Sequence, residues 1–448
     1  EAIREVARGE SVGDLALLTG NPRSATVRAI RDSELARLSR AAFENVFKNH
    51  PQLVGQLTLQ IASRQSQGSD PTLTRRNIRT LAILPFDEAV PIREFSRRLV
   101  TTLQDFGATI HLHERSSHLG KWAETEPLGE DGQLIGQLSA LETNYRFVVY
   151  EANAALSPWT QRCLRQADLI WIIPAADSEP EPSRPSILAN YFRSQQMSAS
   201  IELVLVHGSD FQPTIPAQKW LSCLNVTAHH HTVLTAPADF KKLARLLTAS
   251  AVSLVLSGGG ARAFAHIGVI RALSESGIPI DAIGGTSMGA VIAAQQALGW
   301  DWQTMVRVNR EAWPRCKPER NYTLPLVALN SGKRMDQMLR SMFGESQIET
   351  LRTKFFCVST NLTRAEAKVH GAGTLWKAVR ASISIPGIGA PANENGEILI
   401  DGGLMNNLPV AIMKQFCQDP VLAVDVSEQL EFKSKLTESY TVSGWKLF

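Results

Sequence analysis

Short apolar runs and stretches of helical period alternate along most of this chain, and that alternation predicts its elements. Residues 80–84 read as a strand entering a proline turn, and 92–106 as a helix with Phe95, Leu99, Leu103 and Phe106 on one side. Residues 108–112, 147–150, 169–173 and 201–206 supply further, mostly apolar strands, with helices expected over 156–167 and 187–197. Strands of that character spaced by helices predict a doubly wound α/β domain over residues 78–249. The pattern then restarts with a helix over 239–247, a strand over 252–256, and a helix over 262–276 that carries Phe264, Ile267, Ile270 and Leu273 on one side and ends at Gly277. A strand near 280–283, a helix over 290–298 and a late strand over 398–400 follow. Residues 1–62 differ: a strand-like alternation over 25–30 and a helix over 39–47 capped by Ser39 suggest a small β-rich piece ending in helix. Residues 63–77 open S-R-Q-S-Q-G-S-D-P, have little to bury, and read as a linker.

At 448 residues the chain exceeds what one core serves, so two or three domains are expected. A net charge of +3 gives no argument for a nucleic-acid partner, while leaving basic patches free to face anionic lipid. Cys163, Cys223, Cys316, Cys357 and Cys417 are far apart and form no C-x-x-C pair, which points to a reducing compartment and away from a disulfide framework or zinc knuckle. No run of about eighteen uncharged apolar residues is present, so no transmembrane helix is visible. The chain starts at Glu1 without methionine or signal segment, as a piece of a longer protein would, and an upstream membrane anchor stays open.

Two turns at the start of the last region carry candidate chemistry. The strand over 252–256 enters Gly258-Gly259-Gly260, whose amides and following helix start are what a developing oxyanion needs. The next strand enters Gly285-Thr286-Ser287-Met288-Gly289, a G-x-S-x-G turn that projects a serine hydroxyl at a helix N-terminus. Gly258, Gly260 and Ala263 with Asp281 also fit a dinucleotide fingerprint, but Asp281 precedes the apolar end of its strand and a nucleophile elbow follows at once. Asp401, delivered by the late strand into Asp401-Gly402-Gly403, reads either as a base for Ser287 or as an ordinary Asp-Gly turn. Elsewhere the signals are plainer. The first turn of the middle domain, P-F-D-E-A-V-P, lacks phosphate-cradling glycines, so that domain is expected to be a scaffold or regulatory module. His229, His230 and His231 cannot all point one way on a strand and are expected at a surface or interface patch, with no metal site. Asp14 and Arg23 could hold a ribose and a phosphate, or simply satisfy a hairpin corner.

In order and spacing, Gly258-Gly259-Gly260-Ala261-Arg262, Gly285 to Gly289 and Asp401-Gly402-Gly403 resemble the three signatures of patatin-like phospholipases. The resemblance implies that residues 250–448 form a patatin-like α/β hydrolase-type three-layer domain with Ser287 as nucleophile, Asp401 as base, and the amides around Gly259, Gly260 and Ala261 as oxyanion hole. The whole order, with Pro158-Trp159 and the approach Leu243 to Leu247, is similar to bacterial relatives of neuropathy target esterase. Residues 12–29 resemble the phosphate cassette of cyclic-nucleotide-binding domains, with Val12 and Asp14 in place of Phe and Glu, so 1–62 would be the C-terminal part of such a β-roll and would not bind a cyclic nucleotide tightly. The implied reaction is hydrolysis of lysophospholipid or phospholipid esters without cofactor, at the inner face of the cell membrane in the cytoplasm, with cyclic nucleotide a partner for the complete protein. Arg262 reads equally as a head-group phosphate contact or as a structural partner of a carboxylate. Ala263 stands where the family has glycine; it is harmless if that position is helical. Trp300, Trp302, Met305, Trp313 and Met338 would line an acyl channel, meet a membrane, or form core. The competing reading is a lipid- or cyclic-nucleotide-responsive regulatory protein with a silent hydrolase domain.

Overall fold

The computed structural model describes residues 6, 10–22, 25–29, 35–50, 78–116, 132–181, 183–195, 197, 199–211, 216–316, 331–417 and 419–427. Contacts divide the chain into two units. The first comprises Glu1–Ser253, Glu349–Lys354 and Lys414–Pro420; the second comprises Leu254–Ile348, Phe355–Met413 and Val421–Phe448.

In the N-terminal part of the first unit, α1 (Asp14–Thr19) and α2 (Arg40–Asn49) are formed, and Ser39 caps α2 by accepting Ala42 N–H at 3.2 Å. The strand expected over 25–30 is not seen: residues 25–29 are exposed and outside any strand. A lone strand leaves its backbone groups unpaired, and no described segment pairs with this one. Asp14 instead opens α1 and accepts a bond from Ser11 Oγ at 2.6 Å. Arg23 and the linker expected over 63–77 lie outside the described residues.

The rest of this unit is built on six strands: β1 (Thr80–Pro85), β2 (Thr109–Leu112), β3 (Phe147–Glu151), β4 (Leu169–Ile173), β5 (Ser200–His207) and β6 (Ala228–Val233). They run in the order β2-β3-β1-β4-β5-β6 with every pair parallel, Leu81 lying between Val149 and Leu169. Side chains alternate between the two faces. Leu84, Val148 and Ile172 meet Trp159, Leu188 and Trp220 on one face, and Ile83, Val149 and Trp171 meet Phe95, Leu99 and Phe240 on the other. Burial on both faces is why these strands read as continuous apolar runs. After β1, the Phe86 ring fills the turn, edge-on to Trp220 at 4.4 Å and under the Arg184 guanidinium at 5.2 Å.

The histidine triplet is not a surface patch. It lies in β6, with His230 8% and His231 3% exposed. His229 and His231 each donate from Nε2 to the Glu349 carbonyl at 3.0 Å, so His231 Nδ1 is the acceptor for His207 Nε2, also at 3.0 Å. His230 faces the opposite way and reaches Glu202 Oε2 at 3.1 Å, which also accepts Trp171 Nε1 at 3.0 Å. Burial pushes His229 down to about 4 and His231 to about 3, keeping both neutral.

The second unit holds a mixed sheet made of β7 (Ser253–Leu256), β8 (Ala282–Thr286), β9 (Lys354–Asn361), β10 (Glu366–His370), β11 (Ala392–Glu394), β12 (Glu397–Asp401) and β13 (Val421–Val424). The order is β11-β12-β9-β8-β7-β13 with β10 on β9, and the β9–β10, β9–β12 and β11–β12 pairs are antiparallel. Met288–Ala297 follows β8 as a helix buried on nearly every side, including Ala290, Val291, Ile292, Ala293 and Ala294. Such a helix has no polar face, so it reads in sequence as a smooth apolar stretch and works as a rigid post behind the turn that precedes it.

Candidate active site

Ser287 joins β8 to that post. Its backbone sits at φ 52° and ψ −129°, a left-handed geometry that costs a non-glycine residue of order 1–3 kcal/mol and persists only where surroundings enforce it. The enforcement is steric in part. A Cβ on Gly289 would lie 2.4 Å from Ser257 O and 2.6 Å from Leu256 O, so the first turn of the post can rest on the end of β7 only with glycine there.

The hydroxyl so presented donates to Asp401 Oδ2 at 2.5 Å. That is the short range of a charge-assisted O–H···O bond. Asp401 closes β12, and its other oxygen accepts Gly403 N–H at 2.7 Å. Ser287 and Asp401 are 8% and 7% exposed. Burial pushes the carboxyl pKa up, and the bonds from Ser287 and Gly403 pull it partly back. A proton acceptor raised toward neutrality and touching a hydroxyl can take that proton when a carbonyl approaches.

Beside the hydroxyl lies the glycine turn. A Cβ on Gly258 would be 3.0 Å from Ser287 Cβ, which fixes how close the turn comes. Gly259 is extended at φ 174°, Gly260 takes a left-handed φ of 55°, and Gly260–Phe264 forms a 3₁₀ turn whose first amides have no acceptor within it. Gly260, Ala261 and Arg262 are exposed. The helix expected from 262 therefore begins as this tighter turn, and Ala265–Glu275 continues it as α-helix. Ala263 is fully buried inside the 3₁₀ turn and outside the left-handed region, so alanine is accommodated without strain. His266 is packed: its Nε2 donates to Ser257 O at 2.9 Å, and burial holds its pKa down.

Three contributors carry no motif of their own. Asn407 Nδ2 donates to Gly258 O at 3.3 Å, and Thr286 Oγ1 donates to Asn406 O at 2.9 Å, so the segment after Asp401 ties both other turns together. Ser382 Oγ accepts the N–H of Ser287 at 2.9 Å. Arg380 donates to Asp336 Oδ1 at 2.6 Å and to Ala390 O at 3.0 Å. The last two stand in the run Arg380 to Pro386, whose residue pattern does not distinguish a site wall from any other helix end.

Of the apolar residues between elbow and base, Met305 is core and Trp300 stacks on Phe343 at 6.4 Å. Phe264, Ile267, Trp302, Val306 and Trp313 line a groove of about 520 Å³, with Arg271 over the Trp302 ring at 4.6 Å. Ile385, Ile388, Leu404 and Met405 are between 43% and 65% exposed. Ile385 follows Ser384, whose carbonyl accepts Asp401 N–H, and Leu404 and Met405 come three and four residues after Asp401.

Comparison with known proteins agrees with these motifs. Residues 254–414 match the model of the patatin-like phospholipase family, 77–250 that of the neuropathy target esterase family P-loop like domain, and 1–50 that of the cyclic nucleotide-binding domain. "Patatin-like phospholipase domain-containing protein 6" of Pongo abelii is 32% identical over 100% of this chain and 36% of its own length, and the Homo sapiens protein of that name gives the same figures. "Lysophospholipase nte1" of Emericella nidulans is 34% identical over 95% of this chain and 32% of its own. The chain thus spans about a third of the length of these animal and fungal relatives. It belongs to the family of patatin-like phospholipases and neuropathy-target-esterase-like proteins, with a cyclic-nucleotide-binding-like segment at its start.

Proposed function

We propose that the chain is a serine esterase that cleaves the carboxylic esters of lysophospholipids or phospholipids through a Ser287–Asp401 dyad and an acyl-enzyme. The observation that carries this is the 2.5 Å bond from the Ser287 hydroxyl to a buried carboxylate, at an elbow held in a left-handed conformation. Ser287 Oγ attacks the acyl carbonyl carbon as its proton passes to Asp401 Oδ2, and the carbonyl oxygen takes the negative charge. The amides around Gly259, Gly260 and Ala261 receive that oxyanion. When the tetrahedral adduct collapses, the C–O bond to the alcohol breaks and Asp401 returns its proton to the departing oxygen. Water, giving its proton to the same carboxylate, then attacks the acyl carbon; the bond from that carbon to Ser287 Oγ breaks, Asp401 returns the proton to Oγ, and the fatty acid leaves.

The substrate class is argued from the site and the relatives together. The relatives are named phospholipase and lysophospholipase, and the exposed Ile385, Ile388, Leu404 and Met405 stand on the segment that bonds Asp401 and on the turn that follows it, where a lipid surface would meet the site. Among the described residues no helix is long and apolar enough to cross a membrane. A cytoplasmic enzyme working at the inner face of the membrane fits that surface. Arg262, exposed next to the glycine turn, is the candidate contact for a head-group phosphate. The domain limits proposed are 1–62, 63–77, 78–249 and 250–448, and placement among bacterial relatives of the esterase rests on the order of the motifs. Cyclic nucleotide is proposed as a partner of the complete protein, with this chain carrying Asp14 and Arg23 as vestigial contacts.

The test is hydrolysis of a short p-nitrophenyl ester by Ser287→Ala and Asp401→Ala, with thermal unfolding to show that each still folds. Both variants are expected to lose turnover, and Ser287→Ala to lose labelling by a fluorophosphonate. Turnover near that of the unmodified chain in either variant refutes the dyad, and an unmodified chain that neither labels nor turns over favours the regulatory reading.

A further inference from the structure

We propose that Ser382 is a positioning residue that holds the nucleophile against its base through the backbone of Ser287, an inference that rests on the esterase reading above. The elbow needs such a hold because a non-glycine residue at φ 52° leaves that geometry unless neighbours prevent it. Ser382 is the last residue of the helix Leu375–Ser382 and is fully buried. Its hydroxyl donates to Val358 O at 2.6 Å. A carbonyl can only accept, so the Ser382 proton points at Val358 and a lone pair is left to face the Ser287 N–H at 2.9 Å.

The same short segment also holds the base. Asp401 N–H donates to Ser384 O at 2.8 Å, two residues beyond Ser382. Val358 O, the far anchor of the Ser382 hydroxyl, is the atom on which Gly402 rests: a Cβ there would come within 2.2 Å of it. Residues 382 to 384 therefore grip the nucleophile at one end and the base at the other, with β9 as the common wall. Arg380 locks the grip by bonding Asp336 and Ala390 O together with the Ser384 hydroxyl. The 2.5 Å between Ser287 Oγ and Asp401 Oδ2 is the distance this span sets.

Removing the Ser382 hydroxyl frees the Ser287 amide and leaves the glycine turn and the apolar rim untouched. Proton transfer suffers and binding does not. The experiment measures kcat and KM on a short p-nitrophenyl ester and the rate of fluorophosphonate labelling, for the unmodified chain, Ser382→Ala and Ser382→Thr, with thermal unfolding on each. A displacement of about 1 Å at reacting atoms costs about 100-fold, so Ser382→Ala is expected to lose about that much in kcat and in labelling rate while KM holds within about twofold. Ser382→Thr keeps a hydroxyl and is expected to recover about tenfold or more of the loss. If Ser382→Ala does not fold, Ser382→Cys, near serine in size but a weak donor and acceptor, replaces it with the same expectation. Turnover within about twofold of the unmodified chain, a loss confined to KM, or a folded Ser382→Thr as impaired as Ser382→Ala each overturns the assignment. An unmodified chain that neither hydrolyses nor labels overturns the esterase reading and this one with it; an active chain with an unimpaired Ser382→Ala overturns this one alone.

Discussion

Replacing Asp401 by asparagine separates what the carboxylate does chemically from what it costs the fold. The group is 7% exposed, and burial raises its pKa. An acid whose folded pKa lies above its unfolded value binds its proton more tightly in the native state. Its stabilising share is complete below the unfolded pKa and is lost as pH rises through the folded one. At neutral pH the buried anion therefore works against the fold. Asp401→Asn has the same shape: Oδ1 can keep the Gly403 N–H, and the amide nitrogen can donate to Ser287 Oγ in the place where the carboxylate accepted. The variant is expected to unfold at a higher temperature than the unmodified chain near pH 7, and the gap to close as pH falls through the raised pKa, where Asp401 is itself neutral. Activity moves the other way. A positioned general base contributes about 10²–10⁴-fold, which is about 2.7–5.4 kcal/mol of barrier, and kcat/KM for a soluble ester should fall by that factor. In the unmodified chain kcat/KM should likewise decline on the acid side as Asp401 takes up its proton. Thermal unfolding from about pH 4 to about pH 8, with ester kinetics over the same range, checks both halves. A stability difference that is the same at both ends of that range, or a variant keeping more than about a tenth of the activity, refutes the reasoning.

Gly289→Ala drives a methyl into Ser257 O and Leu256 O, neither of which can withdraw without moving β7, so it should cost about 1–3 kcal/mol or more of stability and most ester turnover; calorimetry and kinetics read both. Glu202→Ala removes the shared acceptor of Trp171 Nε1 and His230 Nε2 and should lower the stability of the first unit by about 1.5–3 kcal/mol, measured by denaturant unfolding, with ester turnover by the folded protein unaffected. Ile388→Asp and Leu404→Asp each withdraw an exposed apolar side chain that a bilayer would bury for about 1.5 kcal/mol, so turnover of lysophospholipid in vesicles should fall about tenfold further than turnover of a soluble ester. Equal losses on the two substrates would remove that rim from the lipid-facing surface.

The parallel sheet was legible because burial on both faces writes its strands as apolar runs, and Leu81, Ile83, Val149 and Ile172 are where the pattern put them. β6 was missed for the converse reason. Its A-H-H-H-T-V carries little apolar signal; it is a strand because it pairs with β5, and Glu202, His207 and the Glu349 carbonyl satisfy the imidazoles so buried. Those partners lie 24 or more residues away, beyond any local window. The strand expected over 25–30 failed in the opposite way, since alternation is present while, among the described residues, no strand pairs with 25–29. Local pattern reports which residues could form a strand; pairing decides which do.

The site follows the same logic one level up. Gly-x-Ser-x-Gly and the triple glycine could be read as turns, but spacing left Asp401 open between a base and an Asp-Gly turn, because 114 residues separate it from Ser287 and only the sheet order brings them together. What links the three motifs is mutual contact. Gly289 is bare so that the elbow can rest on the end of β7, and Gly402 is bare so that the turn after Asp401 can rest on Val358 O and the Thr286 side chain. A methyl at either place forces the backbone beside Ser287 or Asp401 to move, so the glycines that look like three separate turn signals act as one constraint on the Ser287–Asp401 contact. That is why the residue pattern is informative as a set and weak in each part. It also explains why Ser382, which touches the same constraint through a single hydroxyl, leaves no comparable mark in the sequence.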